Sequence, residues 1–101
     1  MAYRLSRRAI DDIADCYRFG CERFGREAAE AYLEELRACL KLVGENPHMG
    51  RLYEEFVRPV RIHHHGRHYV VYRPQNDAAM ILRILHDGMD VKRHLSNLRR
   101  R

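Results

Sequence analysis

The hydrophobic period of this chain changes once, and that change limits its possible folds. From residue 6 to about residue 44, apolar residues recur every three or four positions. From residue 57 to residue 85 they alternate or run together. The first pattern specifies amphipathic helices and the second specifies strands. Two helices followed by consecutive hairpin-linked strands point to an α+β domain, with the helix pair on one face of a small antiparallel sheet.

Tyr3-Arg4-Leu5 alternates and reads as a short first strand, and Ser6 reads as an N-cap. Ile10, Ile13, Ala14, Tyr17, Cys21 and Phe24 form the apolar stripe of the first helix. Asp11, Asp12 and Asp15 are directed away from that stripe and favour the early turns through the helix dipole. Phe24-Gly25-Arg26 breaks the pattern. A second helix is expected from Arg26 to Gly44, with Ala29, Tyr32, Leu33, Leu36, Leu40 and Val43 facing inward. The short connection makes the pair an antiparallel hairpin, and Gly44-Glu45-Asn46-Pro47 ends it.

Strands are then expected at Val57–Ile62, where Pro59 calls for an edge position or a bulge, and at His68–Arg73. Gly66-Arg67 turns between them, and Pro74-Gln75-Asn76-Asp77 forms the next turn. Met80–Leu85 has the composition of a central strand buried on both sides. A short helix from about Asp90 to Arg99 closes an order of β-α-α-β-β-β plus a C-terminal helix. At 101 residues the chain is one domain, residues 1–101, with room for a single modest core.

Charge is divided unevenly. Residues 1–56 carry 9 Lys and Arg against 11 Asp and Glu; residues 57–101 carry 10 against 3, together with six of the seven His. A positive half suits an acidic partner or a polyanion, and equally a solvated basic surface. Cys16, Cys21 and Cys39 are odd in number and lack C-x-x-C spacing, so neither a disulfide framework nor a zinc knuckle is indicated. With no membrane-length apolar run and no signal-peptide core at the N-terminus, the expected location is the cytoplasm, away from membranes.

His63-His64-His65 is the most conspicuous run. Strand alternation lets at most His63 and His65 share a face, short of the three or four ligands zinc needs, so a structural or surface role is favoured. Asp90 and His94, four apart, share a helix face, where a carboxylate would orient an imidazole. A helix cap is the simpler reading, because no Ser or Cys nucleophile accompanies them. Arg83 stands in the most apolar strand, where it either snorkels at the sheet edge or pairs with Asp90. The Arg99-Arg100-Arg101 triplet reads as a basic tail.

Taken in order, these pieces resemble the ParE branch of the RelE/ParE toxin superfamily over nearly the whole chain. The resemblance runs through Tyr3-Arg4-Leu5-Ser6, Asp12-Ile13, Phe24-Gly25, Ala29 and Tyr32, then the connector Asn46-Pro47-His48-Met49-Gly50-Arg51. It continues through Val60-Arg61, His68-Tyr69-Val70-Val71-Tyr72-Arg73 and Ile81–His86, and ends with Met89-Asp90 and His94-Leu95. It implies the toxin half of a type II toxin–antitoxin pair; no metal or cofactor is expected from the residues. Such a toxin is neutralised by a cognate ParD-like antitoxin with a ribbon-helix-helix domain, and it meets operator DNA only through that antitoxin.

ParE-branch toxins are associated with poisoning DNA gyrase; RelE-branch toxins cleave mRNA in the ribosome. The two branches share a fold, so residues must choose between them. The RelE pattern of second-strand lysines and a C-terminal Tyr is missing: Arg58 and Arg61 stand in the second-strand region, and no Tyr follows Tyr72. The Met-Asp and His-Leu elements favour the gyrase branch. Arg83, His86, Asp90, Lys92, Arg93 and His94 are then the candidate target-binding residues. A ribosome-dependent endoribonuclease would instead use Arg61, Tyr69, Arg73, Arg83 and His86 to move a proton and stabilise a phosphate. A third reading is a non-toxic antitoxin-binding co-repressor. In each case, two amphipathic helices on a small sheet leave apolar surface that an acidic antitoxin segment can cover.

Overall fold

The computed structural model describes residues 2–56, 58–89 and 91–95, with the Lys92 side chain left out. Its elements run β1 (Tyr3–Leu5), α1 (Arg7–Phe24), α2 (Arg26–Glu45), β2 (Arg51–Tyr53), β3 (Val60–His65), β4 (His68–Gln75), β5 (Ala78–His86) and α3 (Val91–His94). The strands form one sheet in the order β1-β5-β4-β3-β2. Only β1 and β5 run parallel. The helix hairpin covers one face, as the change of period predicts.

Ser6 makes the first corner. Its backbone N–H donates to the Ile81 carbonyl at 2.9 Å, which extends the β1–β5 pairing by one bond. Its hydroxyl donates to the Leu82 carbonyl at 2.8 Å and accepts from Ala9 N–H at 3.0 Å, which caps α1. At the next corner Gly25 has φ 91, a left-handed value that glycine tolerates, and it separates α1 from α2.

Two clusters form the core, one on each face of the sheet. Leu36, Leu40 and Val43 of α2 and Ala9 of α1 pack on Val70, Tyr72, Ile81 and Ile84. On the far face Phe56, Val60, Val71, Leu85 and Leu95 pack together, with Val91 of α3 against them. β5 supplies both clusters, in keeping with its expected burial on two sides. A bulge makes this possible: Val71 pairs with Arg83 but Tyr72 pairs with Ile81, so Leu82 has no partner on β4. Ile81 and Ile84 therefore join the helix side, and Leu82 and Leu85 the far side.

Four details differ from the sequence reading. Arg51–Tyr53 is an additional strand, pairing antiparallel with β3. The strand expected at Val57–Ile62 begins at Val60 and runs through the histidine triplet to His65. Pro59 precedes it, and β2 covers the edge that Pro59 was expected to occupy; Val57 lies outside the described residues. β4 continues through Pro74 and Gln75, so Asn76 and Asp77 alone make the turn, with Asn76 at φ 54.

The inward face of α1 also differs. Ile10 and Phe24 are exposed, whereas Ala9 is fully buried. Asp12 points inward. Positions 9, 12, 13 and 16 turn inward, and 10, 14 and 24 are left outside. Beyond residue 95 the expected last helix and the arginine triplet lie outside the described residues. No helix among the described residues is long and apolar enough to cross a membrane.

Candidate partner-binding groove

The second half of α1, the first half of α2 and the tip of the β3–β4 hairpin enclose a groove of about 430 Å3. Its apolar walls come from Phe19, Phe24, Ala28 and Leu33. Phe19 is 53% exposed and Phe24 67%, unusual for rings beside a core this small. Arg23 lies over the Phe19 ring, its guanidinium carbon 5.6 Å from the centroid. Arg23 and Arg67 make a cationic rim, and Tyr32, His68 and His86 line the end nearest the sheet. A second hollow of about 350 Å3 continues past Cys16, Phe19, His68 and His86 to Ile84 and Met89.

The polar end of the groove is hydrogen-bonded through one hydroxyl. Tyr32 Oη accepts the Arg67 backbone N–H at 3.1 Å, lies 2.7 Å from His68 Nδ1 and lies 3.4 Å from the His65 carbonyl. Strand register places these groups together, since His65 pairs with His68 and His68 pairs with His86. The His68 and His86 rings meet edge to face at 5.6 Å. His86 Nδ1 accepts the Gly88 N–H at 3.0 Å. Burial pushes the Tyr32 phenol up and the His68 imidazole down from their ordinary values, and the neighbouring His86 lowers His68 further. Burial also raises the Cys16 and Cys39 thiols, which leaves them protonated at neutral pH.

At the same end of the sheet, on its far face, the His64 and Tyr69 rings stack at 4.8 Å, and His64 Nε2 lies 3.3 Å from Asp87 Oδ2. Asp87 N–H donates to the Arg67 carbonyl at 2.8 Å, tying the hairpin tip to the turn before α3. Val91 and Leu95 anchor α3 on the far face, while Arg93 and His94 are exposed. Among the described residues no three His, Cys, Asp or Glu side chains converge as metal ligands.

The candidate target-binding residues divide between these places. His86 lines the groove, and Arg93 and His94 project from α3. Asp90 lies outside the described residues, as does the Lys92 side chain. Arg83 is engaged by Asp12: Nε and Nη2 donate to the two carboxylate oxygens at 2.7 and 3.0 Å, and both side chains are 14% exposed. The bidentate bond holds the Arg83 guanidinium still more firmly protonated.

The five residues of the ribonuclease reading are not brought together. Arg61 donates to the His48 and Gly50 carbonyls, and Arg73 to those of Pro59 and Arg58. Arg83 binds Asp12, Tyr69 stacks on His64, and His86 faces the helices. Three guanidiniums thus hold backbone or a carboxylate within the fold. Sequence reasoning missed Phe19, Arg23, Phe24 and Leu33 as a surface. The available signal was Phe19, an aromatic ring lying off the apolar stripe of its own helix.

A family model described as "ParE toxin of type II toxin-antitoxin system, parDE" matches residues 3–91. The chain is 38% identical over 93 residues to Toxin ParE1 of Caulobacter vibrioides, spanning 92% of this chain and 96% of that protein. It is 33% identical over 87 residues to Toxin ParE1 of Mycobacterium tuberculosis, spanning 85% and 86%. Among solved structures, a chain from the chromosomal ParDE TA system of P. aeruginosa superposes with a TM-score of 0.71 at 22% identity. That match covers 85% of this chain and 95% of the other, a likeness of fold.

Proposed function

This chain belongs to the ParE family of toxins of parDE type II toxin–antitoxin systems, and we propose that it is a cytoplasmic, non-enzymatic toxin directed at DNA gyrase. Its activity is held in check by a cognate ParD-like antitoxin seated in the helix-hairpin groove. The observation that carries this reading is the groove itself: exposed Phe19 and Phe24 beside Leu33, rimmed by Arg23 and Arg67. Such a surface suits an amphipathic acidic segment, whose apolar side covers the rings and whose carboxylates meet the arginines. The antitoxin's ribbon-helix-helix domain supplies the contact with operator DNA. The target-facing surface is assigned to α3 and its approach, with Arg93 and His94 exposed, His86 half-buried and Asp90 and Lys92 beside them in sequence.

The ribonuclease reading has weaker support, because Arg61, Arg73 and Arg83 are occupied within the fold. The deciding experiment adds purified toxin to gyrase and relaxed plasmid. Supercoiling is expected to fail and cleavage complexes to accumulate, and prior addition of the antitoxin is expected to restore supercoiling. Unchanged gyrase activity, together with codon-positioned cuts in mRNA in a translating extract, would move the protein to the ribonuclease class.

A further inference from the structure

We propose that the Tyr32–His68 pair is a proton-operated release device on the antitoxin groove. The groove holds an apolar segment while His68 is neutral and loosens when His68 takes a second proton. This inference rests on the reading that the antitoxin occupies the groove.

The pair has few protons and lone pairs to share. Tyr32 Oη has one hydrogen and two lone pairs, and the Arg67 N–H uses one of those pairs. In the neutral tautomer that carries its hydrogen on Nε2, His68 accepts the Tyr32 hydrogen at Nδ1 across 2.7 Å. The Tyr32 hydroxyl then both donates to Nδ1 and accepts from Arg67. A second proton on His68 must sit on Nδ1 and donate to Tyr32 Oη. The hydroxyl hydrogen then has to swing to the His65 carbonyl at 3.4 Å, at the outer limit of a hydrogen bond. Protonation thus keeps the 2.7 Å contact with its direction reversed, sends the hydroxyl hydrogen to a long bond and leaves a cation on the groove wall.

The surroundings decide how that cation fares. From the hairpin tip and β5, Arg67 and His86 oppose it and Asp87 favours it. On β3, His65 adds a second imidazole, and its ring lies 6.1 Å from that of Tyr32. α2 contributes Tyr32 itself and, more remotely, Glu35. α1 brings Cys16, Asp12 and Asp15 around the adjoining hollow and Arg23 to the groove. Of the nearby carboxylates, Asp12 is engaged by Arg83, Asp15 by Arg18 and Asp87 by His64. Water therefore does most of the work of solvating a charged His68. A partner laying apolar side chains against Phe19 and Leu33 removes that water, so a filled groove and a charged His68 oppose each other.

The test measures the affinity of the full-length toxin for the protein encoded by the adjoining reading frame, each purified separately, at pH 7.5 and 5.5. A partner with its own carboxylates has its own pH dependence, so the readout is the difference between wild type and His68→Gln. Glutamine keeps an oxygen to accept the Tyr32 hydrogen but takes no proton. Wild-type affinity is expected to fall on acidification by roughly two- to fivefold more than that of the variant, the effect at pH 5.5 of about one unit of difference in proton affinity between free and bound states. Equal pH dependence in both proteins overturns the proposal. If the variant does not fold, NMR titration of His68 in the wild type decides. The imidazole should remain neutral in the complex at a pH where it is charged in the free toxin; the same titration midpoint in both overturns the idea. Phe19→Asp separates the two claims, since undiminished affinity in that variant removes the groove from the interface whatever His68 does.

Discussion

Asp12 binds Arg83 across 71 residues of sequence, and the same carboxylate accepts the Ile84 backbone N–H at 2.9 Å. β1 pairs with β5 only as far as Ile81. Asp12 satisfies a backbone N–H beyond that pairing, and it also neutralises an arginine that the bulge at Leu82 brings beside α1. One side chain thus completes an edge that a longer β1 would otherwise have to cover.

Asp12→Ala should therefore be costly. It leaves a guanidinium and a backbone N–H without their partner where little water reaches, and a loss of roughly 3 kcal/mol is expected in urea unfolding. Asp12→Ala combined with Arg83→Met should recover about half of that, because the unpaired charge is then gone while Ile84 N–H is not. A double variant as unstable as the single one would show that the ion pair contributes little.

The connector after α2 depends on another buried polar contact. Gly50 N–H donates to Tyr72 Oη at 2.9 Å, and Tyr72 is fully buried. Tyr72→Phe should cost about 1–2 kcal/mol through the unpaired N–H. Gly50→Ala should cost more, because its Cβ would lie 2.7 Å from that hydroxyl and 2.9 Å from the ring. Thermal unfolding of the two variants ranks them, and an alanine variant more stable than the phenylalanine variant would contradict this packing.

Acid should weaken the fold through two histidines. Burial lowers the proton affinity of His63 and His68 in the folded chain, with His65 and His86 respectively adding to it. The unfolded chain then binds more protons at low pH, so their contribution is complete above the ordinary imidazole value near 6.5 and is lost as pH falls below it. The melting temperature should drop between pH 7 and pH 5, and by less in His68→Gln. A variant with the same pH slope as wild type would remove His68 from the account.

The two proposed surfaces should separate by mutation. Phe19→Asp, at an exposed ring, should leave stability nearly unchanged and weaken antitoxin binding by roughly thirtyfold, the effect of losing an aromatic anchor worth about 2 kcal/mol. His94→Ala should leave antitoxin binding intact and reduce the inhibition of gyrase supercoiling. If His94→Ala weakens antitoxin binding as much as Phe19→Asp does, the two surfaces are one.

The helix hairpin was legible in the sequence because its period is local and long. β2 was not: three residues between Gly50 and Glu54-Glu55 carry no alternation, and pairing with β3 imposes their extended state. Asp12 resembled the solvated acids beside it, since nothing nearby in sequence marks its partner. Arg83, alone in an apolar strand, did signal that a partner was needed; Asp90 was the local candidate, and the structure supplies Asp12 from the other end of the chain. The groove was hidden for the opposite reason. Its Phe24 fits a helical stripe and so reads as core, though the core ends before reaching it.

The parallel pairing of β1 with β5 affects how the toxin is made. The strand between β1 and β4 is the last of the five to be synthesised, and Tyr3 meets Ala79 only after three-quarters of the chain exists. Closing so large a loop is slow, so a growing chain on the ribosome cannot assemble the helix-side core early. The end of the groove lined by His68 and His86 is therefore completed only once β5 has emerged and paired with β4.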